Sequence, residues 1–258
     1  PRLQVETANE EFLGKEHEAV QVLDFTSEYF SGDMNVMVEF DTGRRDGLKD
    51  PAVLNAMLDL EDYLLDHGVA KTFSLTTLVR QMNQRFHGDD PAYYVIPEDR
   101  NMISQLLLLY TFQGGTLGDL ALGDFSAGTV TGMYAMESSA TVSHLAGLVQ
   151  QYLDERFPEG GGDLRVRMIG ATTLMDRMFT QMTRSQLFGL GTTIVAVALL
   201  VMLLMGSVIA GLIAAIPLVL TVTFSMGIMA YTGQPLDIMT LMVSVVAVGI
   251  GVDYSIHF

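Results

Sequence analysis

Apolar residues are arranged in two ways along this chain. Up to about residue 185 they recur at short periods between polar positions, and beyond it they run almost without interruption. Positions 35–40 (NVMVEF) alternate and are rich in β formers, which predicts a strand. In 51–66 the residues Leu54, Met57, Leu58, Leu64 and Leu65 fall near helical period, and Asp50-Pro51 supplies a cap and a first-turn proline. A strand at 69–73 closes this unit. The pattern then repeats as a strand at 129–136, a helix at 140–157 stopped by Pro158 and the glycines 160–162, and a strand at 164–169. Two such units predict an α+β fold, a ferredoxin-like βαββαβ sandwich with its helices on one sheet face. Between them, 74–127 form a helical insertion, with helices at 76–86 and 100–112 and a Gly-rich loop over 114–128.

A further helix begins near Thr172 and carries Leu174, Met175, Met178, Phe179 and Met182 at helical spacing. This stripe reads most simply as packing against the sheet. Because thioethers adapt to varied apolar shapes, Met175, Met178, Phe179 and Met182 are also a candidate substrate path. Three apolar segments follow: 187–205 and 208–231 contain no charged residue, and 238–258 contains only Asp253. A bilayer is crossed by about 20 residues at about 1.5 Å each, so each segment is long enough. Gly206-Ser207 and 232–235 (TGQP) separate them with turn chemistry. The expected architecture is therefore an α+β domain over 1–185, followed over 186–258 by an all-α transmembrane bundle of three helices, at about 187–205, 208–231 and 236–258, the last cut short. The short links carry no Lys or Arg, so they give no orientation.

Charge follows the same division. All 14 Lys and Arg lie at or before Arg184, and of the 30 acidic residues only Asp237 and Asp253 lie beyond it. The acidic first part has no basic patch to neutralise phosphates, which argues against nucleic acid as a partner. With no cysteine, disulfides and thiolate metal sites are excluded. The histidines at 17, 67, 87 and 144 show no ligand spacing and no Walker-type loop occurs, so neither a metal nor ATP hydrolysis is indicated. No enzyme activity and no organic cofactor are expected.

The chemistry concentrates at the end. Gly249, Asp253 and His257 are four apart and fall on one helical stripe, with Gly251 and Tyr254 beside it. An Asp at the centre of an apolar span costs roughly 2.5 to 3.5 kcal/mol, which is tolerated where ion or proton handling requires it. Glycines at 249 and 251 remove bulk next to the acid and admit a neighbouring helix or water. Asp253, Tyr254 and His257 are thus the candidate proton relay, with protons as the coupling ion. A proton crossing about 100 mV releases about 2.3 kcal/mol, enough to bias a conformational equilibrium. Asp237, in a first turn after Pro235, reads as structural.

These residues carry a resemblance. The runs 206–220 (GSVIAGLIAAIPLVL), 233–240 (GQPLDIMT) and 249–258 (GIGVDYSIHF) resemble the second to fourth transmembrane helices of resistance-nodulation-division (RND) superfamily exporters, closest to the hydrophobe/amphiphile branch with the MmpL-type lipid exporters. The first part, including 106–110 (LLLLY), resembles their first extracytoplasmic porter domain. The resemblance implies export of lipids or other hydrophobic or amphiphilic compounds driven by the proton-motive force, with Asp253 and Tyr254 matching the first Asp-Tyr relay pair. It also implies a multi-pass protein of the cytoplasmic membrane with 1–185 on the extracytoplasmic side. Membrane lipids and the second half of the same polypeptide are the implied partners, and a homo-oligomer is compatible. On this reading the chain is most of the first half of a longer protein.

Two rivals come from other classes. An intramembrane aspartyl protease of the presenilin kind has a Gly-x-Gly-Asp signature; here the spacing 249–253 is one residue longer, and no second intramembrane Asp accompanies it. A sterol-sensing module shares the helical architecture and would bind lipid as a signal. The Asp-Tyr pair favours transport over sensing.

Overall fold

The computed structural model describes residues 17–136, 138–158 and 163–232, together with Val246. The helical elements are α1 (Glu18–Phe30), α2 (Pro51–Asp66), α3 (Leu75–Phe86), α4 (Arg100–Phe112), α5 (Ser139–Arg156), α6 (Gly170–Met205) and α7 (Val208–Thr232). The strands are β1 (Met34–Asp41), β2 (Lys71–Phe73), β3 (Ala127–Tyr134) and β4 (Arg165–Ile169). The chain divides into two compact units, one made of 16–136 and 141–175, the other containing 176–258.

The first unit is an α/β fold on one four-stranded antiparallel sheet of order β2-β3-β1-β4. β1 lies between β3, where Val38 faces Val130, and β4, where Glu39 faces Arg167. Alternation decides the faces. Val36, Val38 and Phe40 of β1 are wholly buried, as are Val130 and Tyr134 of β3, while Asn35, Met37, Glu39 and Asp41 point to the other face and stay partly open. Leu54, Met57, Leu60 and Leu64 of α2 and Val142 and Val149 of α5 complete this core. Burying side chains of this size stabilises by about 1.5 to 3 kcal/mol each, before chain entropy is counted. Aromatic rings join neighbouring elements: Tyr63 of α2 lies 4.4 Å from Tyr152 of α5, and Phe40 of β1 meets Phe157 edge-on at 5.7 Å. Where Leu64 crosses β3 there is room only for Gly132, since a Cβ there would come within 2.8 Å of Val69 and 3.1 Å of Val36.

Local chemistry sets the helix limits. Asp50 accepts from the Ala52 amide and Pro51 opens α2, a pairing that spends no helical donor on the proline. Ser74 caps α3 by accepting from the Thr76 amide, and Asp99 caps α4 through Asn101. Asn83 of α3 donates to the carbonyls of Tyr93 and Val95 at 2.9 and 3.1 Å and so fixes the loop before α4. α1 has no counterpart among the expected elements, and β2 is three residues rather than the five read at 69–73.

The second half of the expected architecture is corrected. The stretch 187–205 is no separate helix: it is the end of α6, a 36-residue helix whose earlier turns carry Asp176, Arg177 and Arg184. α7 has Pro217 in its interior, which withdraws one amide from the ladder, and adds the hydroxyls of Thr221, Thr223 and Ser225. The third segment, 236–258, lies outside the described residues. Counted over the described residues, no helix is long and apolar enough to cross a membrane. That finding overturns the transmembrane bundle of three helices as part of the fold class. It equally overturns the multi-pass cytoplasmic-membrane location with 1–185 outside.

Candidate functional site

Of the sequence-derived candidates, Asp253, Tyr254 and His257, with Gly249 and Gly251, lie outside the described residues. The methionine stripe is described. Leu174, Met178 and Met182 of α6 are exposed, Met178 at 51 %, whereas Met175 and Phe179 are half-buried. Their spacing of four stacks the exposed three along one flank of the helix.

Farther along α6 the exposed surface carries no charge, and Thr192 and Thr193 are the hydroxyls on it among the described residues of 188–205. A shallow groove of about 530 Å³ is lined by Phe188, Gly191, Thr192, Val195, Ala196 and Leu199. Its one hydroxyl is already used, since Thr192 donates within its own helix to the carbonyls of Phe188 and Gly189. Gly191 contributes no side chain, and the floor is open to an apolar ligand. α6 and α7 meet at small residues. A Cβ on Gly211 would collide with Met202 and come within 2.6 Å of the Ala198 carbonyl oxygen, and Ala198 and Val201 are among the few buried residues here. Gly206, at φ +62°, makes the turn between the helices, with the Ser207 amide bonded back to the Met202 carbonyl. Outside that contact the large side chains are exposed, including Leu203, Leu204, Ile209, Leu212 and Phe224.

The α/β unit holds a smaller pocket of about 110 Å³ where the 118–122 turn meets β1 and β3, with Glu39 at its rim. That is room for a few waters, each of about 30 Å³ in the liquid. Glu39 is engaged by the Arg167 guanidinium at 2.5 Å, which also holds that guanidinium more firmly protonated than usual. Among the described residues no group of acids and histidines is placed to hold a metal ion.

One functional-type residue escaped the sequence reading. Glu61 of α2 is 3 % exposed, an acid on the buried stripe of its helix between Met57 and Leu64. Its Oε1 accepts from the hydroxyl of Thr76 at 2.8 Å and, more loosely, from that of Thr77 at 3.5 Å. Burial pushes the carboxyl above its ordinary range, against the pull of the Ser74 and Thr76 hydroxyls and of the Arg80 charge. The signal in the sequence was position: Glu61 is four after Met57 and three before Leu64, in the apolar stripe itself.

Compared with known proteins, the chain matches no family model, and no curated protein matches it.

Proposed function

We propose that this chain is part of a proton-driven transporter of lipids or other hydrophobic or amphiphilic compounds, of the kind the RND-like motifs imply. The observation that carries this reading is the sequence around Asp253: one carboxylate, followed by Tyr254, with Gly249 and Gly251 before it, in a 238–258 run that has no other charge. A single acid in such surroundings is costly unless it works, and taking up and releasing a proton is work that suits it. Tyr254 follows it directly in the sequence and supplies a phenol, and His257, four positions after Asp253, supplies an imidazole, the side-chain type whose unperturbed form titrates near neutrality.

The apolar groove on α6 and the exposed Met178 and Met182 support the substrate class. Such surfaces offer mostly dispersion contacts and few polar partners, which selects for acyl chains, sterols or similar bodies over sugars or ions. The test is Asp253→Asn in the complete protein reconstituted in lipid vesicles with an imposed proton gradient. Export of a fluorescent lipid is expected to stop while binding of the lipid persists. Undiminished proton-driven export would refute the relay. A lipid-sensing role is the second reading, favoured by the groove itself; it is supported if the wild-type protein binds the probe but moves neither lipid nor protons.

A further inference from the structure

Glu61 is a buried acid that the transport reading leaves unused, and it sits at an interface. It projects from α2 towards the first turn of α3, where a short chain of hydroxyls receives it. Ser74 Oγ and Thr76 Oγ1 are 2.8 Å apart, and Thr76 Oγ1 is 2.8 Å from Glu61 Oε1. The Ser74 oxygen at the same time accepts from the Thr76 amide at 2.9 Å, as the cap of α3. The Ser74 hydroxyl can therefore donate to Thr76 and Thr76 to Glu61. The carboxyl holds the capping pair, and the capping pair holds the helix start.

Two charged groups face this carboxyl. Arg80, one turn along α3, attracts it, but its guanidinium lies 4.1 Å over the Tyr94 ring and donates Nε to the Tyr94 carbonyl. Asp62, next to it on α2, repels it. Among the described residues no cation lies within ion-pair distance of Glu61. A neutral carboxyl fits this setting, whereas a carboxylate has two hydroxyls and a distant arginine to replace its water.

We infer that Glu61 is a proton-operated latch between α2 and α3, closed with the proton on and loosened with the proton off. When closed it fixes the start of α3 and through it the α3–α4 insertion; when open it lets the first turns of α3 fray from α2. The direction of its titration agrees, since desolvation is the largest influence on it and favours the protonated form. The latch needs neither Asp253 nor a transport cycle, so its test is independent of both.

The experiment is amide hydrogen exchange of the full chain between about pH 5 and about pH 8, corrected for intrinsic exchange. A carboxyl that holds its proton more tightly in the closed form than in the open one makes the opening equilibrium rise with pH until the closed form has also lost its proton. Peptides over 75–86 are expected to lose several-fold protection as the pH rises, while those over β1 and β3 stay level. In Glu61→Gln, which keeps the acceptor and cannot ionise, the 75–86 peptides are expected to stay level too. A flat wild-type profile, or the same slope in Glu61→Gln, overturns the latch. A second measurement needs no variant: carbon-13 titration of the Glu61 carboxyl in the wild type. A midpoint above the ordinary glutamate value of 4.5 is expected, and a midpoint at or below it overturns the proposal.

Discussion

Val36, Val38 and Phe40 of β1 are fully shielded from solvent, whereas Leu203, Leu204 and Met205 at the end of α6 are 84, 72 and 70 % exposed. The two regions use the same residue types and dispose of them in opposite ways. In the α/β unit an alternating pattern gives each strand one inner face, and α2 and α5 arrive to cover it. In the later turns of α6 and in α7 the apolar residues go nearly all round, so two helices in contact can hide only the side that touches, at Ala198, Val201 and Gly211. A helix with no polar face has no outside of its own, and its surroundings must supply one. That is why substitutions in the first region should cost stability, while many in the second should cost little.

The contrast can be broken by mutation. The largest effect expected is from Phe40→Ala, which should cost about 3 to 5 kcal/mol in urea unfolding of the full chain, because a filled site becomes a cavity. Leu203→Ala, by the same measurement, should stay within about 0.5 kcal/mol. Comparable costs would show that the end of α6 is packed after all. Next in size is Gly211→Leu, which must push α7 off Met202 and the Ala198 carbonyl and should lose about 1 to 3 kcal/mol in thermal unfolding followed by circular dichroism. Gly189→Ala, in open space on α6, should instead gain up to about 1 kcal/mol from helix propensity. If both glycines behave alike, the close approach of the two helices is not real.

Smaller effects sharpen the picture inside the α/β unit. Thr172 is fully buried, its hydroxyl 2.9 Å from Tyr134 Oη and 2.5 Å from the Asn35 carbonyl, so Thr172→Val should cost about 1 to 2 kcal/mol by denaturant titration. Glu61 gives a pH dependence of defined sign. Its folded-state affinity for a proton is raised, so its contribution is greatest below the unfolded value of 4.5 and declines as pH rises through the folded value. Denaturation midpoints should therefore fall with rising pH in the wild type relative to Glu61→Gln; a rise would reverse the assignment. The least effect belongs to Arg156→Ala: its pair with Asp59 at 3.0 Å is exposed on both sides and should be worth no more than about 0.5 kcal/mol, vanishing in high salt.

Much of the α/β unit could be read from the sequence because its local signals agree with its packing. Asp50-Pro51 marks the start of α2 at the residue, and Asp99 marks α4, since caps act through atoms one or two positions away. Alternation placed β1 to within one residue at each end. Other features were not local. Nothing between Gly170 and Gly206 stops a helix, so apolar patterning alone could not say that 187–205 would continue α6 instead of starting afresh. Glu61 was passed over because an acid on a helix usually marks its solvated side, and only its phase against Met57 and Leu64 says otherwise. For the proposed relay, residue type and spacing single out Asp253, Tyr254 and His257, while the contacts a relay needs are not specified by spacing.

β4 passes into α6 without a connecting residue, Ile169 ending the strand and Gly170, at φ +84°, beginning the helix. Three positions after the strand ends, the Thr172 hydroxyl is tied to both central strands of the sheet. The joint has no slack. An added flexible residue after Ile169 would part the Thr172 hydroxyl from the two strands it ties and let the first turn of α6 swing free of the sheet edge.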